Sequence, residues 1–341
     1  MKILHISFHK GCINDINYIF NKIPNIEVEV LSSIDGCTSR KDIDPIREEN
    51  AQHYNMTEKR ANQYWNKYNN YFQTFDCIIT SDTAPISRIF IQNGWNKPLI
   101  IWICNRFDYG HRTPGVIFPD KSYYDLFKNA SNMENVKMIG YTCFENIYCK
   151  LRGIDIGNLV IPPSGGISNI YNDLCIQDDK NNDVVFVPPY NNDTKMMNLC
   201  QKIQDLGFRC YCGKYNGPVD LTNYKCVVHI PYAWSNLAFF EMFTLGIVYF
   251  IPSLHFFFQI MKQRFYWSPP FLPYYLYKSE WYNDRYSDLL IYFDSWEDLS
   301  NKIKNTDYIS LKNKLKDFGK DHINHTLDSW SDILENLSDK L

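Results

Sequence analysis

The residues best suited to chemistry stand in short polar clusters directly after apolar runs. Lys2 to Ser7 runs into Phe8-His9-Lys10-Gly11, and Phe75 to Thr80 into Ser81-Asp82-Thr83-Ala84-Pro85. Pro98 to Cys104 runs into Asn105-Arg106-Phe107-Asp108-Tyr109-Gly110-His111. An imidazole titrates near neutral pH, so His9, on a turn loosened by Gly11, is placed to take a proton from a hydroxyl. Asp82, three residues before Pro85, reads as a helix N-cap as readily as a catalytic carboxylate, and the two roles are compatible. Arg106 and Asp108 read equally as a loop ion pair or as ligands.

A second cluster lies further on. His229-Ile230-Pro231-Tyr232-Ala233-Trp234-Ser235-Asn236 leads into an apolar helix that carries one carboxylate, Glu241, and stops at Gly246 before the β-branched run Ile247 to Ile251. Ser235 and Asn236 can cap that helix, whose first N–H groups suit phosphate oxygens. A lone carboxylate among apolar residues is costly to bury without a partner, and two turns into the helix it can accept both hydroxyls of a ribose.

The elements that must hold these clusters alternate in type. Apolar strand-like runs at Lys2 to Ser7, Ile26 to Leu31, Phe75 to Thr80, Pro98 to Cys104 and Val136 to Tyr141 are separated by helical stretches at Asn14 to Lys22, Thr57 to Phe75, Pro85 to Asn93 and Ser122 to Ser131. Continuous apolar strands between helices predict a parallel sheet covered on both faces. The pattern restarts after Ile161-Pro162-Pro163-Ser164-Gly165-Gly166, with strands at Asp183 to Val187, Phe208 to Cys212, Tyr224 to Ile230 and Ile247 to Ile251 and helices at Asp193 to Leu206 and Ser235 to Leu245. The expectation is an α/β protein of two Rossmann-like, doubly wound domains, 1–165 and 166–341, facing a cleft. The charged stretch from Asp294 is expected to supply C-terminal surface helices that close the second domain or reach back to the first.

At 341 residues the chain exceeds one small domain. Its 45% hydrophobic and 21% charged content excludes a disordered chain, and a net charge of −3 gives no field for wrapping nucleic acid. Eleven scattered cysteines form no CxxC pair, so free thiols in a reducing, cytoplasmic compartment are expected, with Cys77 and Cys104 acting as small hydrophobes. The N-terminus, interrupted by His5, does not read as a signal peptide. The uncharged run from Met242 to Met261 is cut by Gly246 and Pro252 and reads as soluble punctuation rather than a membrane span.

The segment from Tyr232 to Ser253 resembles the donor-binding segment of GT-B glycosyltransferases: polar turn, helix with a glutamate, glycine, buried strand. Val160 to Gly166 resembles the hinge before that family's second domain, and Val184-Val185-Phe186-Val187-Pro188-Pro189-Tyr190 its opening strand and phosphate-side loop. The resemblance implies a glycosyltransferase whose nucleotide-sugar is substrate rather than cofactor. It makes the first domain the acceptor side and the second the donor side. Glu241 would hold the ribose, Ser235 and Asn236 the diphosphate, and Tyr190 and Lys214 the neighbouring phosphate or base, with Tyr232 beside them. Asn105, Arg106 and Tyr109 would meet a glycan, protein or lipid-linked acceptor.

Two family features are absent. The position eight before Glu241 is Ala233, where retaining members carry a second glutamate, and Pro188 to Asn191 replace a basic pair. Inverting members place a histidine on the first loop oriented by a later carboxylate. His9 with Asp82 or Asp108 supplies such a pair, which points to inversion. No DxD-like motif follows a donor-domain strand, so no metal is expected. The aromatic stretch 264–277 reads as a sugar-stacking surface, a peripheral contact for a membrane or lipid-linked acceptor, or packing. The competing class is a non-catalytic nucleotide- or carbohydrate-binding protein on the same scaffold.

Overall fold

The computed structural model describes residues 1–32, 56–108, 120–166, 183–189, 192–193, 197–215, 217–234, 236–263 and 276–338. The chain divides into two compact units, Met1–Pro163 with His325–Leu341, and Ser164–Asn324. Tyr109, Tyr190, Ser235 and residues 264–275 lie outside the described residues.

In the first unit five parallel strands, β1 (Lys2–Ile6), β2 (Glu27–Leu31), β3 (Cys77–Thr80), β4 (Leu99–Ile103) and β5 (Val136–Gly140), stand in the order β2-β1-β3-β4-β5. The runs CIIT and LIIWI are buried at every position, as strands covered on both faces must be, whereas the edge strand EVEVL is only half-buried or exposed. Helices α1 (Lys10–Phe20), α2 (Glu58–Phe72), α3 (Arg88–Ile91) and α4 (Lys121–Ala130) join the strands. A further helix, α5 (Cys143–Leu151), starts with a capping box in which the Thr142 hydroxyl accepts from a backbone N–H and Glu145 accepts from Thr142 N at 3.1 Å.

The second unit repeats the topology. Strands β6 (Val184–Phe186), β7 (Arg209–Tyr211), β8 (Cys226–Val228), β9 (Tyr249–Pro252) and β10 (Ile291–Phe293) are parallel and ordered β7-β6-β8-β9-β10. Both sheets therefore follow the doubly wound order in which the chain reverses direction beside the first strand. The helix expected over Asp193 to Leu206 is shorter, α6 (Leu199–Asp205), because Asn192–Asp193 pairs with Met197–Asn198 as a two-stranded antiparallel ribbon. Then come α7 (Leu237–Leu245), α8 (Leu254–Gln263), α9 (Trp296–Asn305) and α10 (Tyr308–Ser338). The uncharged run Met242 to Met261 is thus split among a helix, a strand and a second helix, and no described helix is long and apolar enough to cross a membrane.

The stretch from His325 belongs to the first unit rather than the second. Trp330 is fully buried there, edge-on to Phe20 with ring centroids 5.2 Å apart and to Trp102 at 5.7 Å. Burying three large rings contributes several kcal/mol, enough to hold the end of α10 against the first sheet.

Helix α7 is fixed at both ends and at its middle. Asn236 Oδ1 accepts from Phe239 N at 2.9 Å, and Gly246, at φ 64°, closes the other end with Ile247 N donating to Met242 O at 2.9 Å. Gly165, at φ 63°, lies so close that a Cβ there would stand 2.3 Å from Phe240 O and 2.9 Å from Glu241 N, while Thr244 Oγ1 donates to Gly165 O at 2.9 Å. Gly165→Ala must therefore displace backbone and strain φ together. We expect it to lower the unfolding free energy by about 2 to 4 kcal/mol, read from denaturant midpoints.

Candidate functional site

At the carboxyl ends of the first sheet, the reversal point between β1 and β3 is where a doubly wound sheet takes ligands. His9 sits there, half-buried, as the N-cap of α1. Its Nδ1 accepts the Cys12 N–H at 3.3 Å, which leaves the neutral ring's proton on Nε2. Asp82 is buried directly after β3, at φ 69°, inside a three-residue turn closed by Thr83 N donating to Ser81 O at 3.0 Å. A non-glycine residue in the left-handed region is strained, and such strain concentrates at functional sites. Asp82 is not the cap of the following turn: that position is Thr83.

Cys12 brings these residues together. Its thiol is held below the ordinary thiol range by the neighbouring Cys104, and then by His9 and the Asp82 backbone, against burial, which acts the other way. Cys104 is pushed well above the ordinary thiol range by burial and by the neighbouring Cys12.

Asp108 has a different surrounding. Its carboxylate is buried and accepts from Tyr148 Oη at 3.0 and 3.2 Å and from Tyr124 Oη, and Arg152 Nη2 donates to the same Tyr148 oxygen at 3.3 Å. None of Asp108's hydrogen bonds goes to His9, so the expected His9–Asp108 pair is not formed, nor is an Arg106–Asp108 ion pair. Asn105 Oδ1 accepts from Arg106 N at 3.0 Å, and both residues are half-buried.

In the second unit, His229 directly follows β8. Its ring is buried against Trp281, centroids 4.5 Å apart, with Tyr232 at 5.4 Å and Tyr249 at 6.2 Å. Neither ring nitrogen has a hydrogen-bond partner among the described residues, and burial pushes the imidazole down to about 3, so it is neutral. The following loop is tied by Trp281 Nε1 donating to Ala233 O at 3.0 Å and Glu280 N to Trp234 O at 3.1 Å.

Glu241 is half-buried on α7. The buried Tyr249 phenol is pushed well above its ordinary value by burial and then by Tyr215, Glu241 and Tyr232, which lie within electrostatic reach of it. Asn236 uses its side chain to cap α7, and Lys214 is exposed, with Tyr211 Oη donating to its carbonyl at 3.1 Å. No described group of three or more His, Cys, Asp or Glu side chains could hold a metal ion.

No family model matches the sequence, and no curated protein matches it. Solved structures do match in shape. The glycosyltransferase SnogD from Streptomyces nogalater aligns over 98% of this chain and 99% of its own with a TM-score of 0.53 at 8% identity. HepE from Anabaena, solved in complex with UDP and glucose, aligns over 99% of this chain and 100% of its own with a TM-score of 0.53 at 13% identity. The chain has the GT-B fold.

Against that fold, the residues anticipated from sequence separate into groups. His9 and Asp82 both contact Cys12, while Asp108 belongs to a tyrosine cage. Glu241 and Tyr232 share the Tyr249 surroundings. Sequence reasoning missed Tyr215, Tyr249 and the buried carboxylate Glu280, gave Cys12 no role, and set Cys104 aside as a packing thiol. The apolar neighbourhood of Cys104 concealed a contact made 92 residues away in sequence, between Cys12 and Cys104.

His229 supplies a pH test of this region. Between about pH 6.5 and 3 the unfolded chain binds a proton here that the folded chain does not, so stability present above 6.5 is lost as pH falls through that window. His229→Phe keeps the aromatic packing on Trp281 and removes the titration. Its melting temperature should decline less steeply than the wild type's from pH 6.5 to 4, measured by calorimetry.

Proposed function

We propose that this GT-B chain transfers a sugar from a nucleotide-sugar donor to an acceptor hydroxyl. The observation that carries the proposal is the half-buried Glu241 on a helix anchored at both ends and at its middle, within electrostatic reach of Tyr249 in the second unit. A carboxylate so placed can accept two ribose hydroxyls, which a diol satisfies better than water does once the site is filled. Backbone N–H groups at the start of α7 and the exposed Lys214 would compensate the diphosphate, the leaving group whose charge grows as the sugar–phosphate bond breaks. Tyr232 and Tyr215 would offer faces to the base or sugar. The UDP and glucose held by HepE support a donor of this class.

In the first unit His9 is the base we assign to the acceptor hydroxyl, with Asp82 beside it and Asn105 and Arg106 as acceptor contacts; direct attack by that hydroxyl inverts the anomeric centre. For Nε2 to take a proton, Nδ1 must hold the ring's other proton, so the cap bond from Cys12 N must open on acceptor binding. The second reading, a binder without turnover, draws on this cap and on the engagement of Asp108 by Tyr124 and Tyr148.

A panel of nucleoside diphosphates and their sugars separates the readings. Isothermal titration should show one diphosphate bound by the wild type and affinity reduced about 100-fold or more in Glu241→Ala, with an unchanged melting temperature because the side chain is only half-buried. His9→Ala should keep that affinity and lose donor turnover. Binding without turnover in the wild type would favour the binder, and equal affinity in Glu241→Ala would remove the assignment.

A further inference from the structure

Histidine is an unexpected residue in the buried part of β1. His5 is fully buried there, a polar side chain among Ile3, Leu4 and Ile6. Burial pushes its imidazole down to about 3, so the ring is neutral, with one N–H to donate and one nitrogen to accept. Nε2 lies 2.8 Å from Ser81 Oγ, while Nδ1 has no hydrogen-bond partner among the described residues. The strand register brings the two together: His5 stands opposite Ile79 on β3, and side chains alternate along a strand, so Ser81, two residues on, shares its face.

Stability alone does not account for this choice. A neutral hydrogen bond adds less to stability than a buried nitrogen without a partner takes away, so an aliphatic side chain would suit the sheet better. What the His5–Ser81 bond holds is the turn that follows β3. Ser81 N donates to Ile6 O at 3.1 Å and Thr83 N to Ser81 O at 3.0 Å, and Asp82 between them stands at φ 69°, in the rare and strained form of a three-residue turn. Strain of that kind persists only where the surroundings over-determine the backbone. The side chains of Thr80 and Thr83 do not do this, because both are fully buried with hydroxyls that have no partner among the described residues. Ser81 is the one of these three hydroxyl residues whose side chain is tied to another strand.

We propose that His5 is a positioning residue, which through Ser81 fixes the strained turn that presents Asp82 at the reversal point of the first sheet. Stability is given up inside β1 in exchange for a defined place for the Asp82 carboxylate, which the sugar-transfer reading sets beside the base His9. The inference rests on that reading for what Asp82 does, and on the His5–Ser81–Asp82 geometry for how it is held.

Two full-chain variants test it. His5→Leu removes the bond together with the unpartnered nitrogen, whereas Ser81→Ala removes the bond and leaves both ring nitrogens buried without one. By calorimetry His5→Leu should melt no lower than the wild type and Ser81→Ala about 2 °C or more lower, although both release the same turn. Crystal structures of the variants should show Asp82 out of the left-handed region. In a donor-turnover assay both should lose about tenfold or more in kcat, with KM for the donor unchanged. Asp82 still at positive φ in His5→Leu, wild-type kcat in that variant, or its melting several degrees below the wild type would each overturn the inference. A wild type without turnover, or Glu241→Ala with undiminished nucleotide affinity, counts against the sugar-transfer reading instead, and the Asp82 conformation in His5→Leu then decides whether His5 holds the turn.

Discussion

The close approach of Gly165 to α7 is the constraint on which the second unit's candidate site depends. Only a residue without a side chain allows the backbone to lie against Phe240 O and Glu241 N, and the Thr244 hydroxyl then bonds Gly165 O. With the Asn236 cap and the Gly246 stop, this leaves α7 little freedom to roll or slide. Glu241 is therefore presented at a fixed place on the helix, and the diol grip proposed for it gains from such rigidity because less ordering remains for binding to do. The aromatic wall behind it, Phe239 against Trp281 at 4.8 Å and Phe243 on Tyr286 at 5.5 Å, serves the same end.

The first unit solves a different problem. Three strands end in polar residues, but its side chains are shared out among structural tasks: His9 caps a helix, Asp108 receives two tyrosines, and Asn105 turns back on Arg106 N. What remains concentrated is the group around Cys12, with the strained Asp82 backbone contributing to it. A histidine whose Nδ1 is held by an amide can act as a base only when that hydrogen bond gives way.

Much of the fold was legible in the sequence, because strands buried on both faces leave continuous apolar runs such as LIIWI, and the punctuation by Gly246 and Pro252 correctly divided the long uncharged segment. Helix α5 was overlooked although Thr142-x-x-Glu145 spells its capping box. Helix α6 was drawn too long because period alone does not register the ribbon formed by Asn192–Asp193 and Met197–Asn198. The half-buried place of Glu241 was legible, a lone acid in an apolar helix, whereas the surroundings of Asp108 were not, because its tyrosine partners stand 16 and 40 residues on. Side-chain partners so distant along the chain follow from the sheet order, which residue patterns do not encode.

The central claim is that Glu241 exists to hold a ribose. A crystal structure of the chain grown with the nucleoside diphosphate it binds most tightly tests this most directly. Ribose oxygens are expected within about 3.2 Å of the Glu241 carboxylate, with the diphosphate at the start of α7. A nucleotide bound elsewhere, with Glu241 in contact only with water, would contradict it.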